Sequence, residues 1–189
     1  MTTVNISILK LGTLAVSSKG QKTVPLMYEN GSSVNWVPST AMQVAFEPRA
    51  FGQENASRVN LVLHPTSEMI SQLQELDAVV VSLLAKSSLE IFGKKLTETE
   101  VQSHFTSSLK TSTKGFLPTM KVKMNVSGKN ITRCWDENKQ ICAQPDRWVS
   151  CKAMPKITIR SVWMMGKDMG LLFETLAVQL EQTNSECPF

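Results

Sequence analysis

The stretch Pro118-Thr119-Met120-Lys121-Val122-Lys123-Met124-Asn125-Val126 changes side at every residue. Met120, Val122, Met124 and Val126 fall on one side and Lys121, Lys123 and Asn125 on the other, the period of a half-buried β-strand. Such a strand holds its two lysines on one surface about 7 Å apart, close to the spacing of phosphates along an extended polynucleotide. Lysines on a solvent face can equally serve only to discourage edge pairing. The segment therefore defines a strand before it defines a ligand.

Upstream of it the chain is mostly strand and turn. Residues 4–11 alternate, and residues 23–29 form a second strand that meets Asn30-Gly31, a dipeptide suited to positive φ at both turn positions. Residues 33–37 read as the returning arm of that hairpin, 42–46 as a short strand between Pro38 and Pro48, and 58–63 as a strand with Val59, Leu61 and Leu63 on one side. The period then lengthens. Met69, Ile70, Leu73, Leu76, Val80, Leu83 and Leu84 recur at helical spacing behind Pro65-Thr66, with Glu68 in the first turn, so a helix spans 67–86. Thr97-x-x-Glu100 has the form of a capping box for a shorter helix bearing Val101 and Phe105, and Phe92-Gly93 punctuates the link.

Downstream, Asp136 to Lys139 reads as a turn behind Trp135. Strands follow at 148–154 and 157–164, broken at Pro155, then a turn over 166–170 and a last strand over 171–180. Strands, a long helix, a short helix and strands again give a mainly β protein, a barrel with the helices inserted. With 189 residues and no linker composition, one domain over 1–180 is expected, followed by a flexible polar tail over 181–189.

Charge is distributed unevenly. Residues 1–105 sum to −1 and residues 106–189 to +5. No acid occurs between Glu100 and Asp136, a window that holds Lys110, Lys114, Lys121, Lys123, Lys129 and Arg133. A field of one sign attracts polyanions and makes their binding salt-dependent. Lys110 and Lys114 fall to a connecting segment. Phe116, Trp135, Trp148 and Trp163 are interspersed with these cations and with Lys152, Lys156 and Arg160, so stacking surfaces and phosphate partners coincide in the second half. Trp163 shares the parity of Ile157 and Ile159, opposite to Arg160.

Catalytic signatures are absent from the sequence. There is no GxSxG elbow, phosphate-cradling glycine loop or HExxH, and His64 and His104 stand alone. Cys134, Cys142 and Cys151 are spaced C-x7-C and C-x8-C, without the C-x2-C knuckle of a zinc site. A non-enzymatic protein with free thiols and neither metal nor cofactor is expected. No apolar run approaches the roughly 20 residues of a membrane span. Residues 1–11 lack a signal-peptide core, so the expectation is an intracellular protein, not secreted and without a membrane partner.

Three stretches carry a resemblance. They are Phe92-Gly93-Lys94 leading through Ser107-Ser108-Leu109-Lys110 to Pro118; Met120-Lys121-Val122-Lys123-Met124; and Lys156-Ile157-Thr158-Ile159-Arg160-Ser161-Val162-Trp163 with Gly170-Leu171-Leu172-Phe173. In order and spacing the chain resembles the replicative single-stranded DNA-binding proteins of large nucleocytoplasmic DNA viruses, a group related to the short-tailed phage SSB with an OB-fold. The resemblance implies a five-stranded OB barrel with the long helix inserted. It also implies single-stranded DNA as ligand, action in replication, recombination or repair at a nuclear or cytoplasmic viral replication site, and replication proteins or a second copy of the chain as partners. By position it puts Lys121 and Lys123 on the binding face. The phage relatives close on an acidic tail with a terminal aromatic; here Phe189 is preceded by only Glu181 and Glu186.

The candidate nucleic-acid-binding residues are thus Lys121, Lys123, Arg160, Lys114, Lys110, Arg133, Trp135, Phe116, Trp163 and Lys156. Two other readings fit the same residues: a structural or interaction protein of a virion or scaffold, and an RNA-binding OB protein, since stacking and phosphate contacts do not read the 2′-hydroxyl.

Overall fold

The computed structural model describes residues 3–50, 56–112 and 114–182. In chain order the first strands are β1 (Leu9–Leu11), β2 (Ala15–Val16), β3 (Lys22–Tyr28), β4 (Val34–Trp36), β5 (Met42–Arg49) and β6 (Arg58–His64). Helices α1 (Ser67–Lys86), α2 (Ser88–Phe92) and α3 (Glu98–His104) follow. The chain then returns to strands: β7 (Phe105–Thr106), β8 (Leu109–Lys110), β9 (Thr119–Asn125), β10 (Arg133–Trp135), β11 (Ile141–Cys142), β12 (Cys151–Met165) and β13 (Asp168–Gln182).

Five strands close on themselves. β12 pairs with β5 on one edge and β13 on the other; β5 pairs with β6, β6 with β9, and β9 meets β13 in parallel at Lys123 and Glu174. This is a five-stranded barrel of OB type, as expected, with α1–α3 inserted between its second and third strands. The two 15-residue strands β12 and β13 form its backbone. β3, β4 and β5 line up in turn along the free edge of β12, and β7, β9 and β10 along that of β13.

Alternation sorts the side chains. Val44, Leu61, Leu63, Met120, Val122 and Met124 point inward and are almost fully buried, joined by Ile157, Ile159 and Phe173. α1 starts where Thr66 Oγ1 accepts from Met69 N (3.3 Å) and buries Met69, Leu73, Leu76, Val80 and Leu84 in the same core. The capping box of α3 forms as its residues require, with Thr97 N donating to Glu100 Oε2 (2.7 Å) and Glu100 N to Thr97 Oγ1 (3.2 Å).

Several local expectations are corrected. Residues 4–8 are not strand: Asn5 Oδ1 accepts from Ser7 N and caps a 3-10 turn over Ile6–Ile8, leaving only Leu9–Leu11 to pair. A turn forms at Asn30-Gly31, but with positive φ at Gly31 alone (81°) and not at both positions, and its arms part: β3 and β4 each pair with β12 and are bridged to each other at Met27–Ser33. α2, which has little apolar periodicity, is an additional short helix ended by Gly93 at φ 71°. Trp148–Ser150 is a 3-10 turn, and β12 runs unbroken through Pro155. Pro155 faces Val178 on β13 and lies between the β5 and β4 pairings on the other edge, where no neighbour needs its missing N–H. The β12–β13 turn narrows to Gly166-Lys167, because Asp168 already pairs with Met165. At the C-terminal end, Glu181 and Gln182 pair with Lys152 and Cys151, so the strand runs past residue 180. The remainder of the expected tail, with Cys187 and Phe189, lies outside the described residues. Among the described residues no helix is long and apolar enough to cross a membrane.

Candidate nucleic-acid interface

Barrel closure puts alternate residues of adjacent strands side by side on the outer surface. One row runs Phe46–Val62–Lys121 across β5, β6 and β9. The next runs Arg49–Asn60–Lys123–Glu174–Thr158 across β5, β6, β9, β13 and β12. A third, Arg133–Ala177–Lys156, crosses β10, β13 and β12, and a fourth sets Ile141, Trp135, Gln179 and Met154 abreast. Lys110 is opposite Thr119, on the parity of Lys121, so it extends the outer face of β9 from strand β8 instead of from a loop. In OB barrels the face of the second and third strands, here β6 and β9, is the usual oligonucleotide platform.

Electrostatics single out the second row. Burial, then the charges of Arg58 and Lys121, push the half-buried Lys123 ammonium below the usual lysine range. Beside it, Glu174 accepts from Arg58 Nη2 through Oε1 and from Arg160 Nε through Oε2 (2.8 Å). Burial acts to raise the Glu174 pKa, but the two arginines outweigh it and hold the carboxyl below its ordinary range. Two arginines thus hold one carboxylate, and Lys123 lies opposite it in register, near Arg58 and Lys121. An arriving anion relieves repulsion there.

Bulges re-aim side chains onto this surface. Ala45 is the extra residue between the Val44–Leu63 and Phe46–Val62 pairs, which turns Phe46 outward to 61% exposure. Arg160 is extra between the Ile159–Phe173 and Ser161–Leu172 pairs, so the parity of β12 reverses beyond it. This overturns the expected grouping of Trp163 with Ile157 and Ile159: the isoleucines face the core, whereas Trp163 lies half-buried outside. Leu176 bulges similarly on β13 and is exposed.

Trp163 rests on Gly170. A β-carbon at position 170 would stand 2.9 Å from Trp163 Cζ2 and 3.1 Å from the Thr106 carbonyl. Gly170→Ala is therefore expected to lift the indole, shift its emission toward that of solvent-exposed tryptophan and destabilise the fold by about 1–3 kcal/mol, read by fluorescence-detected thermal melting.

The β8–β9 connection carries Lys114, Phe116 and Leu117, with Phe116 70% exposed. Its root is held where His64 Nδ1 donates to the Pro118 carbonyl (3.1 Å). Behind β8, the buried Asp77 of α1 accepts from Ser108 N (2.8 Å), Ser107 Oγ (3.0 Å) and Ser108 Oγ. Burial pushes its carboxyl above the usual range despite those bonds. Asp77 thereby ties Ser107-Ser108, and the adjoining Lys110, to the long helix.

All ten expected residues are on the surface, but they do not form one cluster. Lys121, Lys123 and Arg160 share the β6–β9–β13–β12 patch; Arg133, Lys156 and Trp135 continue along β13; Trp163 stands at the other end of the β12–β13 hairpin; Lys110, Lys114 and Phe116 flank the β9 side. Trp36 and Trp148 are core. Arg58, Phe46 and Glu174 are additional members. Arg58 was legible by parity, opposite to Val59, Leu61 and Leu63; nothing in the alternation marks Phe46.

Cys134, Cys142 and Cys151 lie on the inner side. Cys134 faces Cys142 across β10 and β11, and burial pushes the Cys134 thiol up to about 11, helped by Cys142 and Cys151. Among the described residues no group of three or more His, Cys, Asp or Glu is arranged to hold a metal.

No protein-family model matches the chain, and no curated protein matches it by sequence. Its fold does have solved counterparts. The single-stranded DNA-binding protein from bacteriophage Enc34, in complex with ssDNA, superposes with a TM-score of 0.51 at 9% identity, over 91% of this chain and 96% of that one. A C-terminal truncation of the same phage protein gives 0.50 at 9% identity, over 90% and 96%. At such identity the likeness is one of fold, and it extends over nearly the whole of both chains.

Proposed function

We propose that this protein binds single-stranded DNA without sequence preference and without catalysis, through the outer face of β6, β9, β13 and β12. The observation that carries the reading is the patch in which Arg58 and Arg160 hold Glu174 opposite Lys123, with Lys121 two residues along β9, on the face that OB barrels use for oligonucleotides. The fold shared with a phage protein solved with ssDNA supports it. Cations on successive strands take phosphates, while Phe46, Phe116, Trp163 and Trp135 offer faces on which any base stacks. Neither kind of contact selects a sequence. Action in replication, recombination or repair, and a viral source, follow from the sequence resemblance.

The test is a titration with oligothymidylate, matched oligouridylate and duplex DNA at several salt concentrations. Tight binding to the DNA single strand over duplex is expected, with log K falling against log salt at a slope of about −3 if four cations engage phosphates. Equal or tighter oligouridylate binding would favour an RNA ligand. Self-association without nucleic-acid affinity would favour a scaffold role. Phe116→Ala should weaken oligothymidylate binding by about 1–3 kcal/mol, the worth of one stacked base, with an unchanged melting temperature. An affinity equal to that of the unsubstituted chain would remove Phe116 from the site.

A further inference from the structure

Glu174 is the one acid in the cationic row of the outer face, and its position is built. Its side chain is 18% exposed, accepts from Arg58 on β6 and Arg160 on β12, and stands opposite Lys123 on β9. These bonds span four adjacent strands of the barrel. A carboxylate bridging two guanidiniums has the geometry in which a phosphate would be held, since arginine forks match both groups. Arg58 and Arg160 are correspondingly not free cations in the unliganded protein.

We infer that Glu174 is a positioning residue and internal competitor: it holds Arg58 and Arg160 together as a surrogate phosphate and is displaced by a phosphate of the bound strand. The inference rests on the proposed function and deepens it. Displacement lowers affinity, because each arginine must leave one anion to gain another. It also keeps both guanidiniums gathered at one place instead of dispersed in solvent. A site so built releases its ligand readily, which suits a protein that must be cleared from a strand.

The test is Glu174→Gln, measured with oligothymidylate across salt concentrations. Removing the competitor should tighten binding at low salt between about threefold and thirtyfold, the range for two exposed ion pairs. The log–log salt slope should stay near about −3, because both arginines reach phosphate in the complex of either chain. Loss of a purely structural residue would loosen binding at every salt concentration instead of tightening it. In Arg160→Gln, the added Glu174→Gln change should tighten binding less, because the two residues act through one contact. A measurement on the unsubstituted chain guards against a variant that does not fold: the Arg160 Nε–H resonance should move strongly on adding oligothymidylate. Weaker or unchanged binding in a folded Glu174→Gln variant, or a stationary Arg160 signal in the bound complex, would overturn the inference. Failure of the unsubstituted chain to bind oligothymidylate at all would instead sink the proposed function.

Discussion

Replacing Lys121 and Lys123 together with glutamate is expected to abolish oligothymidylate binding at physiological salt while the barrel stays folded. Both side chains leave the outer face of β9, and the residues between and beside them, Met120, Val122 and Met124, keep the core. The effect has two parts. Two phosphate partners are lost, and at position 123 a new carboxylate stands across from Glu174, within a face that must accept a polyanion. The glutamine pair, Lys121→Gln with Lys123→Gln, separates them by removing charge without adding repulsion. It should flatten the salt slope by about 1.4, two contacts at about 0.7 each for a single strand. A slope that stays put in the folded glutamine pair would mean that these lysines do not touch phosphate.

The second large effect concerns the helix. Asp77→Ala removes a buried acceptor of three hydrogen bonds and leaves the Ser108 N–H without its partner. Losing bonds to a carboxylate and orphaning a buried donor should cost about 3 kcal/mol, measured by urea denaturation. Hydrogen exchange should rise first at Ser107–Lys110. Asp77→Asn retains one acceptor oxygen and should recover part of the loss. The same variant should weaken DNA binding modestly, because Lys110 depends on that tie for its place beside Thr119. Full stability in Asp77→Ala would show that β8 is held by its ladder to β9 alone.

What the sequence discloses and what it hides divide along physical lines. α1 was legible to the residue, because a 20-residue amphipathic run between Thr66 and Ser87 has one arrangement that buries its stripe. The strand nature of β9 and β6 was equally legible, and with it the outward parity of Lys121, Lys123 and Arg58. Pairing partners were not. The divergence of β3 from β4 is set by the length of β12, which offers an edge long enough for both, and turn chemistry at Asn30-Gly31 carries no trace of that. Bulges were hidden for a related reason. An extra residue at Ala45 or Arg160 is stable only because its opposite strand curves there to close the barrel, so period-2 reading assigns Phe46 and Trp163 to the wrong side. The ion pairs of Arg160 show the same limit: counting charge gives a free cation, and only the juxtaposition of β13 and β12 reveals Glu174 in its grip. The acid-free window from Val101 to Trp135 supplies much of the interface, but its central carboxylate comes from elsewhere in the chain.

On the proposed function, single-stranded DNA lies on the outer face of β6, β9, β13 and β12. Amide chemical-shift mapping of the labelled protein with oligothymidylate tests it most directly. The largest changes are expected at Arg58–Val62, Lys121–Asn125, Thr158–Trp163 and Gly170–Ala177, with α1 and α3 nearly silent. Changes concentrated on the helices, or none at saturating oligonucleotide, would contradict it.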